Sequence, residues 1–248
     1  MIAFAVDQWR AWAPGLDSQD AWQAWSQSPR VLTDSGEQPE CLFVPAMQRR
    51  RLSRMARMTM DVAWPLCAED EQLPFVFASR HGETPRTYAL LGELADGHAL
   101  SPTAFGLSVH NSIAGQWSIL RGQRGESVAI AGETDTFEHA LLEAATLMLD
   151  GATSVLLVIA EELPPSAYAD WIKDVPFSYA LAMRLSTCAS AQGDSAATHW
   201  QLRLDRHDGS GTQCAWPHAL DFLRVLQSQV SSMEHVWKTR RWNWQRTR

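Results

Sequence analysis

Apolar residues along this chain follow two rhythms. Short β-branched runs alternate with longer stretches in which apolar positions recur every three or four residues. The short runs predict strands over residues 2–6, 75–78, 127–131 and 154–160. The last of these, SVLLVIA, is apolar at successive positions, as a strand covered on both faces would be. Three- and four-residue spacing predicts helices over residues 17–26, 47–67, 87–95, a segment reaching Leu120, and 216–230. A further helix follows Gly132. Asp135 and Glu138 stand at the spacing of a capping box, and Phe137, Ala140, Leu141, Ala144 and Met148 continue the stripe to Asp150–Gly151. Strand and helix alternate over residues 75–160, which implies a layered α/β domain. Beyond it, residues 179–186 and 198–204 alternate as the two arms of a hairpin, with AQGDSA between them as its loop.

Composition narrows the class. With 46% hydrophobic residues and no long polar tract, 248 residues suffice for one folded domain spanning 1–248. No apolar run approaches the roughly 20 residues that cross a bilayer, and MIAFAVDQWRAW lacks the basic start of a signal peptide. A cytoplasmic location is the expectation. A net charge of −7 disfavours general nucleic-acid binding, which needs basic surface. Cys41, Cys67, Cys188 and Cys214 are widely spaced, with no CxxC pair to suggest zinc or a disulfide framework. No metal or cofactor is expected. Twelve tryptophans point to core and interface packing or to ligand stacking. The final HVWKTRRWNWQRTR reads as a tail packing its tryptophans and exposing its arginines, with single-stranded nucleic acid or a membrane surface as the alternative.

Candidate chemistry gathers where the strand 127–131 turns into the helix after it. Such an elbow holds its residue over the positive end of a helix, where a thiol is activated and an oxyanion stabilised. Here the residue is Thr134, whose hydroxyl needs an adjacent general base before it attacks a thioester. Glu133 and Asp135 flank it and would repel the developing anion. Thr134 therefore reads as a structural, helix-capping residue. Elsewhere, Arg49, Arg50, Arg51, Arg54 and Arg57 decorate the start of the helix predicted over 47–67, either as a solvated face or as a surface for an acidic partner. His81, in SRHGE after the strand 75–78, is either a loop residue with one backbone hydrogen bond or a catalytic base.

The segment SPTAFGLSVHNSIAGQWSILRGQRGESVAIAGETDT resembles the nucleophile region of a β-ketoacyl synthase. Asn111, Ala114–Gly115, Gly122, Gly125 and Ser127 fall into its register without a gap, Glu126 replaces the usual Pro, and Thr134 stands where the catalytic Cys belongs. Together with RRRLSRMAR and FASRHGE, this makes the chain similar to the β-ketoacyl synthase-like N-terminal-domain family of aryl polyene and xanthomonadin-type pathways, whose members are described as chain-length-factor-like subunits. The resemblance implies a thiolase-like α/β fold of the N-terminal half only, with a C-terminal hairpin and helix. The HGTGT-like and NxxFGxGG-like motifs that carry the family's catalytic histidines do not occur, so it also implies a non-catalytic protein.

Partnership then becomes the expected role. By resemblance, the strand of Ser127, Val128, Ala129, Ile130 and Ala131 lies at the seam of a heterodimer with a catalytic ketosynthase. Ala104, Phe105, Val109 and His110 would line the end of the partner's acyl tunnel, Asn111 would cap the following helix, and Arg49, Arg50 and Arg51 would meet an acyl carrier protein. Two other classes stay open: an independent acyltransferase or hydrolase using Thr134 or Ser108 with His110 or His81, and a carrier-docking scaffold without influence on chain length.

Overall fold

The computed structural model describes residues 1–188, 197–209 and 214–247. Eight strands form one sheet: β1 (Ile2–Trp12), β2 (Phe75–Ala78), β3 (Ser127–Ile130), β4 (Ser154–Glu161), β5 (Tyr179–Ser186), β6 (Thr198–Arg206), β7 (Ser232–Trp237) and β8 (Arg240–Arg246). Their order is β3-β2-β4-β5-β1-β6-β8-β7. The β3-β2-β4 end is parallel and every other pairing is antiparallel. Parallel strands need crossovers, and α4 (Thr84–Ala95), α5 (Pro102–Gly106), α6 (Ser112–Arg121) and α7 (Thr136–Leu149) supply them. The remaining helices are α1 (Gln19–Gln27), α2 (Ala46–Arg49), α3 (Arg54–Ala63) and α8 (His218–Leu226).

The apolar runs are explained by burial on both faces. Along β4, Val155, Leu157 and Ile159 enter a core with α1, α7 and α8, while Leu156, Val158 and Ala160 enter a second core with α3 and α6. The sheet is thus sandwiched between helices, the layered α/β arrangement its alternation predicts.

Three expectations are corrected. Residues 179–186 and 198–204 are not a hairpin: β1 runs between β5 and β6 and pairs with both. Alternation shows that a strand has two different faces without showing which strand lies beside it. The AQGDSA loop lies outside the described residues. The helix predicted over 47–67 is broken, because Ser53 caps a new helix at Arg54 by accepting from the Ala56 N–H at 3.0 Å, and residues 64–66 tighten to a 3-10 turn. The C-terminal tail is the hairpin β7–β8, which extends the sheet and buries Trp242 and Trp244. Arg240, Arg241 and Arg246 are half-buried and bonded rather than exposed: Arg240 reaches Asp135, Arg241 donates to His207, and Arg246 donates to the Val225, Leu226 and Ser228 carbonyls at the end of α8.

Candidate functional site

The strand-to-helix elbow is present, with Thr134 in the turn between β3 and α7. Gly132 permits that turn, since its N–H donates to Thr136 Oγ1 at 3.0 Å and a Cβ there would sit 3.3 Å from the Thr136 Cα. Thr134 does not cap the helix. Its Oγ1 accepts from Arg80 Nη1 at 2.8 Å, and the same nitrogen donates to Asp174 Oδ2 at 2.8 Å. Among the described residues no carboxylate or imidazole accepts the Thr134 hydroxyl proton, so the hydroxyl has a cationic donor where a nucleophile needs a base.

The flanking acids do not form the expected capping box either. Asp135 occupies the N-cap position without a side-chain cap. Its carboxylate is buried against Arg240, at 2.5 Å and 2.9 Å, and the Trp242 indole, at 3.0 Å. Glu133 accepts from Lys238, from Trp237 at 2.8 Å and from Arg240 at 2.9 Å, and these donors hold its carboxyl down to about 2. Glu138 accepts from His218 Nδ1 at 2.9 Å and His235 Nδ1 at 2.6 Å, all three side chains being buried. Burial alone would raise Glu138 and lower both histidines. The mutual attraction of the carboxylate and imidazoliums outweighs it, leaving Glu138 well below its usual range and each histidine at about 9. Asp221 adds a second carboxylate 3.3 Å from His235 Nε2.

Glu138, His218 and His235 offer donor atoms within 4.8 Å of one another, a spacing that a metal ion would tolerate. The ring orientation opposes it: the imidazoles stack at 4.1 Å between centroids and 20° between planes, so their nitrogen lone pairs run nearly parallel rather than converging on one point. A carboxylate straddling two imidazoliums, one oxygen to each, fits this geometry. The sequence offered no local signal for it, since the partners are separated by 80 and 97 residues.

The SRHGE loop packs beside the elbow. Glu161, at the end of β4, accepts from the Arg80 N–H, from Ser79 Oγ at 3.1 Å and from the His81 N–H at 3.3 Å, while burial pushes its carboxyl up to about 7. His81 is therefore no free base: its Nε2 lies 3.0 Å from Asp174 Oδ1. His110 turns inward, its Nε2 2.7 Å from the Ser79 carbonyl and its ring against Gly82, whose φ of +57° suits glycine. Ser108 donates to the Phe105 carbonyl at 2.8 Å, and Asn111 forms no side-chain cap. Thr134, Ser108, His81 and His110 thus assemble into no nucleophile-base pair.

The surface candidates separate into two groups. Phe105 and Val109 are exposed, at 59% and 40%, and Ala104 is half-buried. β3 is an edge strand, paired through β2 alone, with Ser127 exposed and Val128, Ala129 and Ile130 half-buried; Ala131 lies just past its end, exposed. The arginine cluster is divided. Arg54 is clamped to Asp34 at 2.5 Å, and Arg57 donates to the carbonyls of Pro39, Glu40 and Arg49. The guanidiniums of Arg49, Arg50 and Arg51 have no ion-pair partner among the described residues, and exposed Leu42 and Met47 lie nearby in the chain.

This arrangement is a strand-to-helix elbow whose turn residue, Thr134, is bonded to Arg80. The chain belongs to the β-ketoacyl synthase N-terminal domain family, which it matches over residues 22–245. Among solved structures it is similar to a chain of the ketosynthase (ApeO) in complex with its chain length factor (ApeC) from Xenorhabdus doucetiae, with 29% identity and a TM-score of 0.84 over 99% of this chain and 100% of that one. It also shares its fold with the ishigamide ketosynthase/chain length factor, at 16% identity and a TM-score of 0.62 over 83% of this chain and 68% of that one. A β-ketoacyl synthase from Burkholderia phymatum matches at 14% identity and a TM-score of 0.65 over 93% and 71%. No curated protein sequence matches the chain. No described helix is long and apolar enough to cross a membrane.

Proposed function

We propose that this protein is a non-condensing, chain-length-factor-like partner of a catalytic β-ketoacyl-ACP synthase, in aryl polyene-type biosynthesis. The observation that carries the reading is the elbow between β3 and α7, where Thr134 is bonded to Arg80 and has no base among the described residues. The full-length likeness to a chain of the ApeO–ApeC complex supports it, because the larger synthase chains are matched over only part of their length. The unpaired outer edge of β3 is the seam of the proposed heterodimer, where a partner strand would satisfy its free N–H and C=O groups. Phe105 and Val109, exposed here, gain a cover in that assembly and shape the end of the partner's acyl tunnel together with Ala104 and His110. Arg49, Arg50 and Arg51 are the docking surface for the acidic carrier protein.

The test is co-expression with a ketosynthase of the same pathway. The expected result is one co-eluting complex that condenses malonyl units on an acyl carrier protein, with this chain alone producing no condensation. Condensation by the isolated chain overturns the reading, as does a ketosynthase that makes the full product without it. The scaffold alternative predicts an assembled complex whose product length ignores residues 104–110.

A further inference from the structure

A cleft of about 290 Å³ opens beside the elbow, lined by Arg80, Thr134, Trp171, Cys214, Trp216 and His218 among others. The proposed partner role makes no use of it. His218 is 2% exposed and anchored through Nδ1 to Glu138 at 2.9 Å, yet its other nitrogen, Nε2, is buried without a completed hydrogen bond. Cys214 lines the same cleft, and its thiol adds to the pull of the Glu138 carboxylate that holds the imidazole cationic, at about 9, against the opposing effect of burial. Cys214 Sγ is also within 4.8 Å of the donor atoms of His235 and Asp221. Thiol, imidazole and carboxylate in that order are the parts of an activated cysteine nucleophile, in which the third group orients the second.

We propose that Cys214, with His218 as its proton partner and Glu138 as the residue positioning that imidazole, is a nucleophilic thiol able to take an acyl group from an acyl thioester. In the step, Sγ as thiolate bonds to the thioester carbonyl carbon, the bond between that carbon and the substrate's own thioester sulfur breaks, and the departing thiolate takes the proton from His218 Nε2. The products are acyl-Cys214, a free thiol and a neutral His218, with no oxidant or reductant involved. Trp171 and Trp216 give the acyl body an apolar wall, and Lys173 gives the cleft a positive charge, Arg80 being paired with Asp174 in the same wall. The other cysteines lack this setting: burial pushes Cys41 up to about 12 and Cys67 to about 11, and burial also raises Cys188. The proposal goes beyond the partner role, which stands whether or not Cys214 reacts.

The experiment uses the full chain with limiting iodoacetamide at neutral pH, followed by peptide mass mapping, and separately with octanoyl-pantetheine. Cys214 is expected to alkylate at least about tenfold faster in the native protein than in the same protein unfolded in urea. It is also expected to carry an octanoyl adduct that Cys214→Ser abolishes and His218→Gln slows. Because His218→Gln removes a buried charge and can unfold the chain, the native-to-unfolded rate ratio of the wild type decides the matter independently. A ratio at or below one, or an octanoyl adduct absent from Cys214, overturns the proposal.

Discussion

The two edges of the sheet are built on opposite principles. At one end, β7 presents Glu234 outward, paired with Arg241 of β8 at 3.3 Å, and turns His235 inward to the buried Glu138 carboxylate. A charge on the outward face blocks the addition of another strand, and the buried ion cluster fastens the hairpin to α7. At the other end, β3 reads SVAI, with no charged side chain and a half-buried face, and its outer edge meets no strand. An unprotected, uncharged edge is a hazard for a protein that stays alone and a requirement for one that pairs. The charged edge at β7 is fastened by folding, and the uncharged edge at β3 is the one assigned to the proposed heterodimer.

Glu138→Ala tests the charged edge hardest. It leaves two imidazoles buried without their shared carboxylate, and the loss of stability is expected at about 3–5 kcal/mol in urea denaturation of the isolated chain. A loss below about 1 kcal/mol would mean that the cluster does not hold the hairpin.

The same cluster predicts alkaline instability. His218 and His235 have folded values raised to about 9 from 6.5, so the stability they contribute is complete below pH 6.5 and is lost as pH rises through about 9. Glu161, raised to about 7 from 4.5, acts in the same direction at lower pH, its contribution being complete below 4.5 and lost as pH rises through about 7. The free energy of unfolding should fall steadily across this range, by at least about 3 kcal/mol, the two histidines titrating as a coupled pair. A flat profile from pH 6.5 to pH 9.5 would contradict the assignment of both imidazoles as cationic.

At the uncharged edge, Val128→Asp puts a charge into the proposed seam while leaving a half-buried position of the isolated chain tolerably solvated. Association with the ketosynthase is expected to weaken at least about 100-fold, equivalent to about 2.7 kcal/mol, with folding of the isolated chain little changed. Unchanged co-elution of the two proteins would move the seam elsewhere.

The smallest effect on the protein itself is expected at Phe105. Since the ring is 59% exposed, Phe105→Ala should cost less than about 1 kcal/mol of stability. Its consequence is expected in the product instead, as longer chains from an intact complex, with Ala104→Phe giving shorter ones. Identical product distributions from both variants would favour the scaffold alternative.

Much of the fold was legible in the order of residues, for a physical reason that also sets its limit. β2 and β4 were visible because a strand covered on both faces must be apolar at successive positions, and the elbow because a strand, Gly132 and an amphipathic helix follow one another locally. The resemblance to the ketosynthase family was legible for the same reason. Partners distant in the chain were not. Asp135 and Glu138 carry the spacing of a capping box, and by sequence alone they are one; in the folded chain Arg240, Trp242, His218 and His235 claim both carboxylates. The strands at 179–186 and 198–206 alternate like a hairpin, yet β1 lies between them, since periodicity records burial and not neighbourhood. Sequence by itself thus determined the layers and the elbow, each encoded within a few adjacent turns of chain. Only the tertiary structure decided which carboxylates are buried, which imidazoles are charged, which arginines are free and which strands stand at the edges of the sheet, because each depends on groups that meet only when segments about a hundred residues apart pack together.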